Sequence, residues 1–167
     1  MDIARTTDPA ALAEVARATF LQTYAHMIPW ADLLAHNASQ NSVSHFQSRL
    51  EAGDAAWLAT HPTTGCPVGF ALLSPPDLPV ATDPRDQELK RIYLLHRFHG
   101  TGAGRALLDA VEAEARRRAK GRLLLGVYHE NPTIAWYKRQ GFTEVGERSF
   151  TVGSRTFRDL ILGKAMT

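Results

Sequence analysis

One cysteine, Cys66, is all that the 167 residues contain, so no intrachain disulfide can form and no second thiol is available for a thiolate zinc site. A reducing, cytoplasmic compartment is the natural expectation. No stretch approaches the roughly 20 apolar residues of a membrane span, and the opening MDIARTTDPAAL lacks the apolar core of a secretion signal. A soluble, unprocessed protein with no membrane partner is expected. Neither sign of charge is in large excess: 19 Lys and Arg against 17 Asp and Glu leave +2. That balance gives no reason to expect nucleic acid, while a pI of about 8.9 leaves room for an anionic small ligand. Of the seven histidines, His96 and His99 come nearest to a metal pair, but no third ligand stands at metal spacing and no metal is expected. Internal repeats and low-complexity tracts are absent too. What is present, 44% hydrophobic residues in a chain of this length, suffices for one core, so a single domain over 1–167 is expected.

MDIAR reads as a first strand, and TTDPAALAEVARATFLQTY as a helix capped by Thr7 or Asp8 with Pro9 in its first turn. Leu12, Val15, Thr19, Phe20 and Leu21 fall near one face of it. Residues 30–52 read as one or two helices broken around HNASQNS and ended by Gly53. The period then changes: AAWLATH and PVGFALLS, separated by PTTG, predict an antiparallel hairpin. SPPDLPVATDPRDQ, with prolines at 75, 76, 79 and 84, is a loop of a length that more often serves function than simple connection. ELKRIYLLHRF is the next strand. GRALLDAVEAEARRRAKG follows as a helix with an apolar stripe of Leu107, Leu108, Val111, Ala115 and Ala119, stopped at Gly121. RLLLGVY is apolar without alternation, as in a strand covered by helices on both faces, and completes a parallel βαβ unit. NPTIAWYKRQG predicts a short helix, and FTEVGERSFTVGSRTFRDLILGKAM two antiparallel strands turning at GS.

The βαβ unit carries the most informative stretch, HRFHGTGAGR at 96–105, with glycines at alternate positions 100, 102 and 104. Alternate glycines let the backbone bend sharply and remove the Cβ atoms that would hold a ligand off, while the following helix aims free N–H groups at the same place. That is a cradle for phosphate or pyrophosphate. A turn built only for tight packing would use the same residues. A P-loop is excluded because no Gly-Lys-Ser/Thr follows at its spacing. A dinucleotide fingerprint would need glycine where Arg105 stands.

RIYLLHRFHGTGAGRALL resembles the acyl-CoA signature of the GNAT superfamily of N-acetyltransferases: Gln or Arg, two residues, Gly, one residue, Gly or Ala. His99, Gly102 and Gly104 occupy it, with His99 replacing the usual Gln or Arg. About 30 residues on, NPTIAWYKRQGF is similar to the family's Asn, Ala, aromatic, Tyr, Gly-Phe pattern, although Asn131 stands one residue closer to Tyr137 than is common. The resemblance implies an α/β fold, a mixed and mostly antiparallel sheet of about seven strands with one central parallel βαβ unit and flanking helices. It implies acetyl-CoA as co-substrate and no metal. Residues Gly100 to Arg105, including Thr101 and Ala103, would hold the pyrophosphate, with His99 and Lys138 beside it. Ile92, Tyr93, Leu94 and Asn131 would meet the pantetheine arm, and the Leu94 N–H would face the developing oxyanion. The ending and RATFLQTY are similar to bacterial spermidine/spermine acetyltransferases. Many family members are homodimers, an assembly the resemblance leaves open here.

Acetylation needs a neutral amine, yet an alkylamine of pKa about 10.4 is neutral in only about one molecule in 2,500 at pH 7. A base must take its proton, and a donor beside the sulfur would help the thiol leave. By resemblance Glu88 is the base, acting through water, and Tyr137 the donor. Equally, Glu88 could simply pair with Lys90 or Arg91, and Tyr137 or Tyr93 could be core aromatics. Arg105 and Lys138 could be surface charge. ARRRAKGR at 115–122 reads as a solvated helix end rather than a nucleic-acid patch, since basic residues there complement the dipole and no aromatic is interleaved. The acceptor is expected to be a small primary amine, with a polyamine leading. A polycation would be held by Tyr24, Trp30, Trp57, Asp32, Glu51 and Asp54 if they converge. Other amines (a protein N-terminus or lysine, an amino acid, an aminoglycoside) keep the same fold, and a CoA-binding sensor without turnover is the rival from another class.

Overall fold

The computed structural model describes residues 1–167. After β1 (Asp2–Thr6), helix α1 (Pro9–Tyr24) starts where its cap dictates, with the Asp8 carboxylate accepting from the N–H groups of Ala10 and Ala11 at 2.9 and 3.0 Å. Leu12, Val15, Thr19 and Phe20 are buried along it; Leu21, about 100° further round the helix from Phe20, stays 44% exposed. Residues 30–52 divide into α2 (Trp30–Ser39) and α3 (Val43–Glu51). The break falls only at the end of HNASQNS, where Ser42 caps α3 by accepting from the His45 N–H at 3.1 Å.

The expected hairpin is β2 (Ala55–Thr60) and β3 (Pro67–Ser74), and the βαβ unit is β4 (Asp86–Leu94), α4 (Ala103–Arg117) and β5 (Arg122–Tyr128). Several boundaries differ from expectation, and β4 begins at Asp86, two residues inside the stretch read as loop. His96–Phe98 form a 3₁₀ turn rather than the end of the strand. Helix α4 stops at Arg117, because Ala119 turns to φ +54° two residues before Gly121 could act as the stop. The basic run there is a paired helix end: Arg116 reaches Glu112 at 3.1 Å, and Arg117 and Arg118 each reach Glu114 at 2.7 Å. Helix α5 (Thr133–Arg139) and the hairpin of β6 (Thr143–Val152) and β7 (Arg155–Ala165) complete the chain.

The seven strands form one sheet in the order β1-β2-β3-β4-β5-β7-β6, antiparallel throughout except for β4 against β5. On one face α4 packs Leu107, Leu108, Val111 and Ala115 onto Leu89, Leu123, Leu125 and Leu162. On the other, α1 and α3 set Leu12, Val15, Ala16 and Phe46 against Ala56, Phe70 and Leu72. Burying apolar area stabilises at about 25 cal/mol per Å², so both layers hold the sheet between them. The far face of β5 departs from expectation: a loop rather than a helix covers Leu124, through Leu78 and Val80 of the proline-rich segment. What positions the site is the parallel pair. β5 matches β4 only at Asp86, Gln87 and Glu88, opposite Arg122, Leu123 and Leu124, while β4 runs on beside β3 as far as Leu94. Beyond Glu88 the two strands part.

Candidate active site

The parting leaves backbone groups without partners. Leu95 donates to the Val68 carbonyl at 2.8 Å; in an antiparallel ladder alternate residues face the neighbouring strand, so Ile92 and Leu94 turn their N–H groups away from β3. They face the gap that β5 has left. A bulge opposite Leu72 and Leu73 takes up Lys90 and resets the strand just before this point.

At the far end of β4 the glycine loop supplies more free donors. Gly100 and Gly102 sit at φ +77° and +87°, a region that costs a side-chain-bearing residue strain, and a Cβ at either would project into open space. The N–H groups of Gly100, Gly102, Gly104 and Arg105 make no hydrogen bond within the protein, whereas those of His99 and Thr101 bond to the carbonyls of His96 and Phe98. The alternation of glycines is thus an alternation of free amides. No acidic residue lies in the first turn of α4 to compete for them. This is a cradle that fits a pyrophosphate.

The flanking side chains brace it. His99 donates Nε2–H to the Leu94 carbonyl at 2.8 Å, tying loop to strand end, and the Thr101 hydroxyl donates to the Phe98 carbonyl at 2.7 Å. Arg105 is engaged with Asp109 at 2.6 Å and with Gln140, which joins α4 to α5. Lys138 is exposed and has no acidic partner. Asn131 accepts from the N–H and hydroxyl of Thr133 at 2.9 and 2.7 Å, so its carbonyl oxygen caps α5 and its amide NH₂ is left over. Trp136 lies 4.0 Å from where a Gly104 Cβ would stand.

Three tyrosines converge on the gap. Tyr137 is buried between Trp136 and Phe142, yet its hydroxyl has no hydrogen-bond partner. Burial first, then Tyr93, push its pKa up. Tyr93, stacked on Phe70, brings its hydroxyl 3.4 Å from that of Tyr24, and Tyr93 first, then burial, makes the Tyr24 phenol harder to ionise. Asp159 on β7 also acts on Tyr24. It is buried, and burial raises its pKa against the opposing pull of Arg148, whose Nε lies 3.1 Å away. Gly126 makes room for that arginine: a Cβ there would lie 2.7 Å from Arg148 Nη2. Asp159 with Arg148 beside it, and Arg91 on the same face of β4 as Tyr93, are functional candidates with no motif to announce them, since sheet register sets their place.

Glu88 is buried at the point where the strands part, in the centre of the sheet and not at an edge. It accepts the Asp77 N–H at 2.7 Å and lies 3.6 Å from Lys90 Nζ, while Arg91 points elsewhere. The six residues considered for a polycation do not converge. Trp57 packs in the α4-side core, Asp54 is bound to Arg49 and Ser74, Asp32 accepts from Ser154, Glu51 accepts from Gln47, and Trp30 is 65% exposed. Only Tyr24 lies at the cleft. A recess of about 400 Å³ lined by Asp83, Arg85 and Arg122 lies at the other end of β4 and β5, where they still pair, away from the glycine loop.

The profile of the acetyltransferase (GNAT) family matches residues 16–142, a span that takes in the glycine loop and the parted parallel strands. The chain belongs to the GNAT acetyltransferase family. An uncharacterized N-acetyltransferase of Mycobacterium tuberculosis is 36% identical over 96 residues, which is 57% of this chain and 58% of that protein. The match thus spans less than two thirds of that relative's length. Among solved structures, the PaiA N-acetyltransferase of Thermoplasma acidophilum in complex with coenzyme A superposes with a TM-score of 0.77 at 22% identity, covering 99% of both chains. A ribosomal-protein-alanine N-acetyltransferase from Brucella melitensis gives 0.71 at 24% identity, again over 99% of both. At such identities these structures bear on the fold alone, which is the GNAT fold. No helix is long and apolar enough to cross a membrane, and no cluster of three His, Cys, Asp or Glu side chains could hold a metal.

Proposed function

We propose that this chain is an N-acetyltransferase that moves the acetyl group of acetyl-CoA onto a small primary amine. The observation that carries the reading is that free amides at Gly100, Gly102, Gly104 and Arg105 stand at one end of a gap lined by the unpaired backbone of Ile92 and Leu94. An anion held at the loop leaves its extended arm lying between the strands. Bound acetyl-CoA supplies a thioester carbonyl and a thiol leaving group. Thr101 and Ala103 complete the cradle, Lys138 adds a mobile charge, and the Asn131 amide faces the pantetheine arm.

In this reading the Leu94 N–H, fixed by the β3–β4 ladder, is the donor for the developing oxyanion; being in place beforehand, it needs no reorganisation. Tyr93 packs beside the reacting centre. The Tyr137 phenol stays protonated because burial disfavours its anion. Its contribution is a hydrogen bond to the departing thiolate, since full proton transfer to a thiolate whose conjugate acid has a pKa of about 8.5 would run uphill. Glu88, with Lys90 steadying its charge, receives the amine proton through water. Asp159 is a second base candidate, favoured by its raised pKa and its approach to Tyr24. A polyamine acceptor is the finer expectation carried by general likeness, and the dispersal of Asp32, Glu51, Asp54, Trp30 and Trp57 leaves it without a binding cluster.

Thiol release from acetyl-CoA across spermidine, lysine, an N-terminal alanine peptide and an aminoglycoside tests the reading. Release with at least one amine is expected. Tight CoA binding with release at none would favour a sensor. With the responsive amine, Glu88→Gln should lower kcat by about 10²-fold or more, the range of general-base contributions, and remove the acidic limb of the pH profile. If Asp159→Asn does so instead, the base is Asp159.

A further inference from the structure

Three of the cations on the α1–α3 side of β4 and β5 have an acid beside them, and Arg91 does not. Lys90 Nζ lies 3.6 Å from Glu88, Arg49 Nε 2.6 Å from Asp54 and Arg148 Nε 3.1 Å from Asp159. Arg91 has no carboxylate within 4.0 Å. Its guanidinium is tucked against the Phe46 ring at 5.3 Å, donates Nη1–H to Asn41 Oδ1 at 2.6 Å and donates Nη2–H to the Gln40 carbonyl at 3.0 Å. These bonds use two of its five N–H donors. A partly buried charge with donors to spare and no counter-charge is a costly arrangement, and an anion that enters would relieve it.

The neighbours supply no such anion. His36 stacks on Phe20 at 4.2 Å, and burial and then Arg91 push its pKa down to about 4; His45 is lowered by the same two causes. Both rings are neutral at pH 7, and Arg49, the other charge near Arg91, is again positive. The location links this charge to the reaction. Arg91 faces Leu72 across the β3–β4 ladder and Tyr93 faces Phe70, so both side chains share one face of β4, and the Tyr93 hydroxyl meets that of Tyr24 at the gap.

We infer that Arg91 docks an anionic group, carboxylate or phosphate, carried by the acceptor amine, so that the acceptor is an anionic amine rather than a polycation. The inference rests on the acetyl-transfer reading. It uses the planar fork of the guanidinium, which matches two oxygens of either anion. Asn41 and Gln40, at the junction of α2 and α3, hold that fork in place.

Matched acceptors separate the charge from the amine: lysine against cadaverine, β-alanine against ethylamine, and O-phosphoethanolamine against ethanolamine. In at least one pair the anionic member should show kcat/KM at least about tenfold higher, the size of a charged hydrogen bond; which pair responds tells carboxylate from phosphate. Arg91→Gln should bring that ratio near one with CoA affinity unchanged, and Arg91→Lys should retain part of it. If Arg91→Gln does not fold, Arg91→Lys decides, with a severalfold drop expected. A ratio at or below one in every pair, or one indifferent to Arg91, overturns the inference. Should no amine release thiol, the transfer reading fails separately. Calorimetry with CoA present then compares N-acetyl-β-alanine with N-ethylacetamide, and N-acetyl-O-phosphoethanolamine with N-acetylethanolamine. One anionic ligand bound at least about tenfold tighter than its neutral partner, with the difference lost in Arg91→Gln, supports the anion site. Equal or absent binding in both pairs ends it.

Discussion

The two flanks of the parted strands are built from different materials. In the acetyl-transfer reading the binding groups on the α4 flank are backbone amides, free because Gly100 and Gly102 hold left-handed conformations and Gly104 and Arg105 lie in the first turn of α4. On the α1–α3 flank they are side chains: Tyr24, Tyr93, Arg91 and Asp159, brought from α1, β4 and β7. Backbone donors recognise what any pyrophosphate offers, whereas side chains can be exchanged without disturbing the fold. The first flank therefore suits the invariant substrate and the second the variable one.

Substitutions sharpen this contrast, and the largest effect should fall on the backbone flank. Gly104 is helical and a Cβ there meets only Trp136 at 4.0 Å, so Gly104→Val should keep its melting temperature while CoA affinity falls at least about 100-fold by steric exclusion, as read by calorimetry. Normal affinity in a folded Gly104→Val would show that the coenzyme is not held at the glycine loop. Tyr137→Phe comes next: kcat should fall about 10- to 100-fold with the Kd for CoA within about twofold, if the phenol steadies the leaving thiolate. Loss of affinity in place of turnover would make Tyr137 a packing residue.

The smallest effect lies in the side-chain flank. His36 has its pKa pushed down to about 4 from 6.5, so the folded state resists a proton that the unfolded chain accepts. Its contribution is whole above about pH 6.5 and is lost as pH falls toward 4. The bound is about 3 kcal/mol, which solvent around a half-exposed ring reduces to roughly 1–2 kcal/mol. His36→Phe should flatten urea stability between pH 6.5 and 4, and an unaltered acid slope would show that His36 is not the sensitive group.

The same division decides what the sequence made legible. HGTGAGR could be read because glycine spacing is a statement about backbone, and backbone makes the cradle. The elements were legible where a local cause set them, as with Asp8 and Pro9 at α1 or the change of period at Ala55. Chain order hid the insertion of β7 between β5 and β6, and with it the arrival of Asp159 beside Tyr128. Arg91 looked like a partner for Glu88 because they are three residues apart. The bulge at Lys90 and the carbonyl of Gln40, some fifty residues upstream, send it elsewhere. The polycation cluster failed for a related reason: Trp57 and Tyr24 lie on opposite faces of the sheet.

The brevity of the β4–β5 ladder carries a mechanical consequence. Strands β1 to β4 and strands β5 to β7 are stitched by three matched residues and by the two-pronged grip of Arg122 on Asp86, at 3.0 and 2.6 Å. Everything beyond is an open seam. A molecule that bonds to both banks closes the seam, so amide exchange at Ile92 and Leu94 should slow when it arrives, and the sheet becomes continuous only while its cargo is aboard.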